Sequence, residues 1–217
     1  MVGVVIDASD RVLIAQRVPG KHHAGQWEFP GGKLESGEPR REGLARELRE
    51  ELGISIESPR PLIRVSHRYS YGTVLLDVWV IRHYSGPATG LDGQALRWCE
   101  LRNLASADLL PADKPIIAAL FLPDRLTQES ADDFIIEEFG AKRGNVCNKL
   151  RGVLCSDRCE AQLAASDQAD FIVLRNPMSS PELIALCEAI AVPVFAAGVD
   201  LKTAWGLGAS GLNQLRA

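Results

Sequence analysis

Apolar residues in the first 125 positions fall mainly into short β-branched runs. "VGVVID" and "RVLIAQR", separated by "ASD", predict a strand, a turn and a strand. The pattern returns in "PLIRVSHRYSY" and "TVLLDVWVIRHY", two runs paired around Gly72, and "ALRWCEL" adds a further short strand. Between these runs the period changes. Leu44, Leu48 and Leu52 recur every four residues, Pro39 is preorganised for a first helical position, and Gly53 can end the helix in the left-handed conformation. "PADKPIIAALFL" opens on prolines and continues with helical spacing, which predicts a second helix from Lys114 or Pro115. Residues 1–125 therefore predict an α/β sandwich with mixed strands, carrying one helix in its middle and one at its end.

The rhythm changes after "LPDRLTQESADD", a Pro-containing polar stretch that reads as a candidate linker. Beyond it, "RGVLCSD", "FIVLRN", "VPVFAAG" and "LNQLRA" are strand-like, while "RCEAQLAAS", "SPELIALCEAI" and "DLKTAWGLGAS" are helix-like. Such alternation predicts a parallel β/α sheet in residues 126–217. A complete (β/α)₈ barrel takes about 200 residues or more, so this is a reduced, partial-barrel segment. Strands that cannot close a barrel need another cover: the first domain, or a second copy of the chain in a homodimer.

Composition narrows the possible functions. Residues 1–125 hold sixteen basic and sixteen acidic side chains, and residues 126–217 hold eight and twelve, so the net charge of −4 lies in the second part. Direct binding to a nucleic-acid polymer would need the opposite sign. No apolar run approaches the roughly 20 residues of a membrane span, and Met1 opens on "VGVVID" without a signal-peptide pattern. These features predict a cytoplasmic protein with no membrane partner. Cys99, Cys147, Cys155, Cys159 and Cys187 lack paired spacing and are expected to be reduced thiols.

The chemistry concentrates in "GGKLESGEPRREGLARELREELGI", residues 31–54. Glu47, Glu50 and Glu51 are spaced i, i+3, i+4, which gathers their carboxylates on one face, where like charges cost a few tenths of a kcal/mol per pair. A divalent cation would offset that repulsion. Clustered Mg²⁺ or Mn²⁺ ions would neutralise negative charge and acidify bound water. Gly31 and Gly32 form a tight loop ahead of the helix that lets backbone groups approach metal and phosphate, and Arg46 is placed to orient a glutamate. Reading from Gly32 through Glu38 to Arg46-Glu47-Leu48-Arg49-Glu50-Glu51-Leu52-Gly53-Ile54, the stretch matches the Nudix box, G-x5-E-x7-R-E-U-x-E-E-x-G-U with U aliphatic, at every specified position. Nine such positions match by chance with a probability on the order of 10⁻⁷.

Residues 1–125 further resemble the MutT branch of the Nudix superfamily, through "AQR", "WEFPGGK", "HRYSY", "LLDVW", "GLDGQALRW" and "LPADKPIIAAL". The resemblance implies a Nudix α/β/α sandwich with a mixed sheet. It also implies hydrolysis of nucleoside triphosphates, oxidised guanine nucleotides among them, to monophosphate and pyrophosphate. In that family Glu47 would be the general base and a metal ligand, and Glu50 and Glu51 would bind metal with the Gly31 carbonyl. Asp92 would add a carboxylate, Arg17 and His22 would meet the phosphates or sugar, and Glu28, Phe29 and Pro30 would line the nucleotide pocket. Two positions depart from the pattern. Asp113 stands where the family commonly has an Asn that reads the purine through one donor and one acceptor, whereas an ionised Asp only accepts. Tyr71 and Gly72 stand where an Asp-Arg pair is frequent. Residues 145–217 resemble, through "GVLCSDRCEAQLAASDQADFIVL", "VPVFAAGVD" and "GASGLNQLRA", the later β/α units of a thiamine-phosphate synthase, and are expected to serve packing. Two other functions remain open on these residues: a Nudix hydrolase of another nucleoside diphosphate-linked substrate, and a non-catalytic nucleotide-binding regulator.

Overall fold

The computed structural model describes residues 1–131, 133–141 and 149–215, so Cys147 and the start of the synthase-like stretch lie outside the described residues. The chain divides into two compact units, one of Met1–Pro61 with Leu76–Ile117 and one of Leu62–Leu75 with Ala118–Ala217.

In chain order the strands of the amino-terminal part are β1 (Val2–Val5), β2 (Arg11–Gln16), β3 (Trp27–Glu28), β4 (Ser55–Glu57), β5 (Arg60–Tyr69), β6 (Gly72–Ile81), β7 (His83–Ser85) and β8 (Leu96–Glu100). Helix α1 is Arg40–Leu52 and α2 is Lys114–Phe121. The first unit mixes pairings: β1 runs parallel to β6, whereas β2 is antiparallel to both β3 and β8, and β4 to β7. The leucine spacing of α1 produces the expected buried stripe. Leu44, Leu48 and Leu52 have no solvent exposure and pack with Val5, Leu13, Ile54 and Ile81. Each buried leucine is worth about 1.5–3 kcal/mol relative to an exposed one, which fixes how the helix is rotated. The helix starts one residue later than the proline suggested: Pro39 is the extended N-cap, and its carbonyl accepts from the amides of Glu42 and Gly43, 3.0 Å each. Gly53 closes the helix at φ 70°.

The second unit holds a six-stranded parallel sheet made of β9 (Arg125–Leu126), β10 (Ile135–Glu138), β11 (Arg151–Cys155), β12 (Phe171–Leu174), β13 (Val194–Ala196) and β14 (Gly211–Asn213), in the order β10-β11-β12-β13-β14-β9. The helices of this part are α3 (Gln128–Ala131), α4 (Arg158–Ser166), α5 (Ser180–Ala189) and α6 (Leu201–Gly206). The sheet is a curled half-barrel, and side chains alternate across it. Ile172, Leu174, Val194 and Ala196 point into one core with residues of α4, α5 and α6. Phe171, Val173, Phe195 and Leu126 fill the other face, with Phe134, Ile136 and Leu154 packed against them. Gly152 makes room for this inner layer, because a Cβ there would stand 2.2 Å from the Phe171 ring.

One expectation changes here. The polar stretch read as a linker contains β9, which pairs with the last strand, β14, so the first and last strands of the segment are neighbours, as they are in a barrel. Side chains of the described residues line both faces of the sheet. The half of the hairpin from Leu62 to Leu75 also belongs to this unit, where buried Arg64 donates to Glu188 at 3.0 Å. The polar surroundings of Leu126 hide its strand from a pattern reading, since two residues are too few to show a period.

Candidate active site

Every sequence-predicted site residue lies in the first unit; Tyr71 and Gly72 belong to the second, where Tyr71 stacks on Tyr69 at 5.0 Å. On α1, the leucine stripe turns the opposite edge toward the loop that carries Gly31 and Gly32. Arg46 is the hub of that edge. Its guanidinium forks onto Glu38 (Nε to Oε1 2.8 Å, Nη2 to Oε2 3.0 Å), while Nη1 donates to Glu47 and Glu50 at 3.0 Å each. Nη2 also reaches the Lys33 carbonyl at 3.1 Å. The fork, with a bond from the Glu35 amide, lowers the Glu38 carboxyl to about 2, and Glu38 in turn raises the Arg46 guanidinium. An ionised Glu38 and a permanently charged Arg46 thus hold the loop onto the helix and fix the direction of Glu47.

Glu47 does not face open solvent. Its side chain is 14% exposed and lies against Gly32, where a Cβ would stand 2.0 Å from its Oε2. Any side chain at Gly32 would displace the carboxylate. Glu50 is exposed. Glu51 Oε2 accepts from the Gly31 amide at 3.2 Å. Burial raises the Glu51 carboxyl to about 7 against that hydrogen bond, with the Glu47 charge adding to the rise.

Glu51 lines a small, open cleft together with Arg17, Lys21, Glu28, Pro30 and Asp92. Asp92 reaches the cleft because its loop is tied to the end of α1: the Leu91 amide and Gln94 Nε2 donate to the Glu51 carbonyl at 2.9 and 3.0 Å, and the Asp92 amide donates to Gln94 Oε1 at 2.9 Å. On the β2 side, Arg17 pairs with Glu28 through Nη1, and its Nε donates to the His22 carbonyl at 2.7 Å. The backbone of His22 therefore helps to set the arginine. Asp113 is 3% exposed and accepts from the Phe29 amide at 3.3 Å, a contact across 84 residues of sequence. Desolvation, then the nearby Glu28 charge, raise its carboxyl to about 8, against the Phe29 hydrogen bond and the Arg17 charge.

Sequence reasoning passed over Lys21 and Gln94. Gln94 stands inside the quoted "GLDGQALRW", but nothing in its local pattern distinguishes it from a turn residue. Lys21 carries no sequence signal; only the loop's path brings it to the cleft. Among the described residues, no three His, Cys, Asp or Glu side chains converge in metal-ligating geometry. Glu47 and Glu50 lean on Arg46, and Glu51 on an amide. The donor set nonetheless suits a hard divalent cation, since it is all oxygen, is carried on a rigid helix, and is flanked by a glycine cradle beside Glu47.

The NUDIX domain model matches residues 1–119. The chain is 32% identical over 119 residues to an 8-oxo-dGTP diphosphatase of Escherichia coli K12, covering 55% of this chain and 92% of that protein. It is 35% identical over 119 residues to a CTP pyrophosphohydrolase of the same organism, covering 55% and 88%. Among solved structures, a MutT NUDIX hydrolase from Burkholderia pseudomallei is 27% identical, with a TM-score of 0.49 over 54% of this chain and 95% of that one. An acidic helix that keeps every position of the box, inside a segment matched by the family model over more than half of the chain, places this protein in the NUDIX domain family as a Nudix hydrolase.

Proposed function

We propose that the protein is a Mg²⁺-dependent nucleoside triphosphate pyrophosphohydrolase of MutT type, with Mn²⁺ able to substitute. It converts dNTPs, including oxidised ones such as 8-oxo-dGTP, to nucleoside monophosphate and pyrophosphate, and so cleans the cytoplasmic precursor pool used in DNA replication and repair. The observation that carries this reading is the shared cleft, in which Glu51 and Asp92 face the phosphate-seeking cations Arg17 and Lys21. Glu47, Glu50, Glu51, Asp92 and the Gly31 carbonyl would hold the metal, which when bound supplies charge neutralisation and a more acidic water. Glu47, held in direction by Arg46 and Glu38, would be the proton acceptor for the attacking water. Arg17 and His22 position phosphate or sugar, and Glu28, Phe29 and Pro30 form the wall of the nucleotide pocket.

Asp113 supplies base recognition. Kept protonated below a pH of about 8, its buried carboxyl offers one donor and one acceptor, as the amide of the related enzymes would, and so can meet a purine edge. Catalysis belongs to residues 1–125, and the synthase-like segment of residues 126–217 serves packing. A second reading, a Nudix hydrolase of a different nucleotide, draws support from the 35% identity to the CTP pyrophosphohydrolase. Pyrophosphate release, screened over canonical and oxidised triphosphates with Mg²⁺, separates the two. The first reading expects oxidised guanine triphosphate to be preferred over dGTP, with a preference that fades as pH rises from 6 to 9, about the range in which a raised carboxyl ionises. A flat ratio near one rejects the oxidised-guanine role, and absence of turnover on every nucleotide would leave a binding protein.

A further inference from the structure

The loop between β2 and β3 is bent by three residues with left-handed backbone, Gly20 (φ 90°), His23 (φ 60°) and Gly25 (φ 88°). It is closed by the Gly25 amide on the Arg17 carbonyl at 3.0 Å and by the Lys21 amide on the Val18 carbonyl at 3.4 Å. This path turns Lys21 toward the cleft that holds Arg17, Glu28, Glu51 and Asp92. The lining then contains two cations and three carboxylates, and the cations are not equivalent. Arg17 is already paired with Glu28 and the His22 carbonyl. The Lys21 side chain makes no hydrogen bond or ion pair with the described residues, yet its charge opposes the rise of the Glu51 carboxyl.

A triphosphate entering this cleft meets a net excess of negative charge. Metal held by the glutamates would neutralise part of the phosphate charge. The remainder needs a cation that is not already spent on a protein carboxylate, and a flexible, compact ammonium suits an oxygen that moves as the bond breaks. We propose that Lys21 is a second phosphate-binding cation of the cleft beside Arg17, holding the pyrophosphate portion of the substrate and setting the preference for triphosphates. This inference rests on the hydrolase reading above and adds a residue to it.

The test uses the full chain with Lys21→Ala, Lys21→Arg and Lys21→Glu, and the probe is inorganic tripolyphosphate with Mg²⁺, measured by titration calorimetry. Lys21→Ala should weaken tripolyphosphate binding about tenfold, the lower range for a charge-assisted contact, and Lys21→Glu should weaken it further. Lys21→Arg should stay within about threefold of the wild type. Binding of dGMP should change by less than about twofold and the melting temperature should hold, which separates a phosphate contact from a general loss of loop structure. In turnover, KM for triphosphate should rise with kcat within about threefold. Tripolyphosphate affinity unchanged in Lys21→Ala, or an equal loss for dGMP, overturns the assignment. A wild-type protein that binds tripolyphosphate through Lys21 but releases no pyrophosphate from any nucleotide would defeat the hydrolase reading and leave the Lys21 site standing. Turnover that is indifferent to Lys21 would do the reverse.

Discussion

The edge of α1 and the inner face of the parallel sheet solve opposite problems. At the helix edge, Arg46, Glu38, Glu47 and Glu50 are held by directed bonds of 2.8 to 3.0 Å while remaining open enough to exchange partners. Inside the sheet, Phe134, Phe171 and Phe195 meet edge to face at 5.6 and 5.7 Å within an apolar cluster. The first arrangement gives up stability to keep charge available for chemistry; the second gives up chemistry for packing. All candidate site residues lie in the unit of the first kind.

The largest expected effect tests whether the two are separable. Phe171→Ala removes a fully buried ring and should destabilise the protein by about 3–5 kcal/mol in a denaturant titration, while kcat of the remaining folded protein stays within about threefold. A parallel collapse of kcat would show that the sheet supports the cleft. On the other side, Glu47→Gln should cut turnover at least about 10²-fold, with little change in melting temperature, because the carboxylate carries chemistry and little packing. Retention of more than about a tenth of the rate in Mg²⁺ would remove Glu47 from the mechanism.

Arg46→Lys keeps the charge but loses the fork onto Glu38 and the reach to Glu47 and Glu50, so kcat/KM should fall about tenfold. A change below about twofold would reduce the network to surface decoration. The effect expected at Asp113 is read against pH. Its folded carboxyl lies at about 8, above the ordinary aspartate value of 3.8, so the contribution of the protonated form is complete below the lower value and is lost as pH rises through the upper one. Stability should therefore decline between those limits, by at most about 1.4 kcal/mol per pH unit. Asp113→Asn should flatten this dependence and gain melting temperature at pH 8 to 9, about where the wild-type group is forced to ionise. Parallel wild-type and variant curves between about pH 4 and 8 would show that Asp113 is not the buried acid described here.

The acidic helix was legible because its information is local. A four-residue leucine period, a terminal glycine and three glutamates at fixed spacing determine which edge packs and which carries charge, before any neighbour is known. The β/α alternation after residue 150 was legible for the same reason. Strand β9 was not, since two residues carry no period and its partner Gly211–Asn213 lies more than eighty residues away.

What the sequence by itself determined is the box, the buried leucine stripe, the cap at Gly53 and the class of each larger element, all set by residues within a few positions of one another. Tertiary structure decided how those parts act. It placed Asp113 under the Phe29 amide and out of water, so that a residue ordinarily ionised near 3.8 holds its proton to about 8. It set Glu47 against Gly32, joined Arg17 to Glu28 across the β2–β3 loop and brought Lys21 to the lining of the same cleft. Burial and charge proximity depend on atoms brought together from distant positions, and no local spacing encodes them.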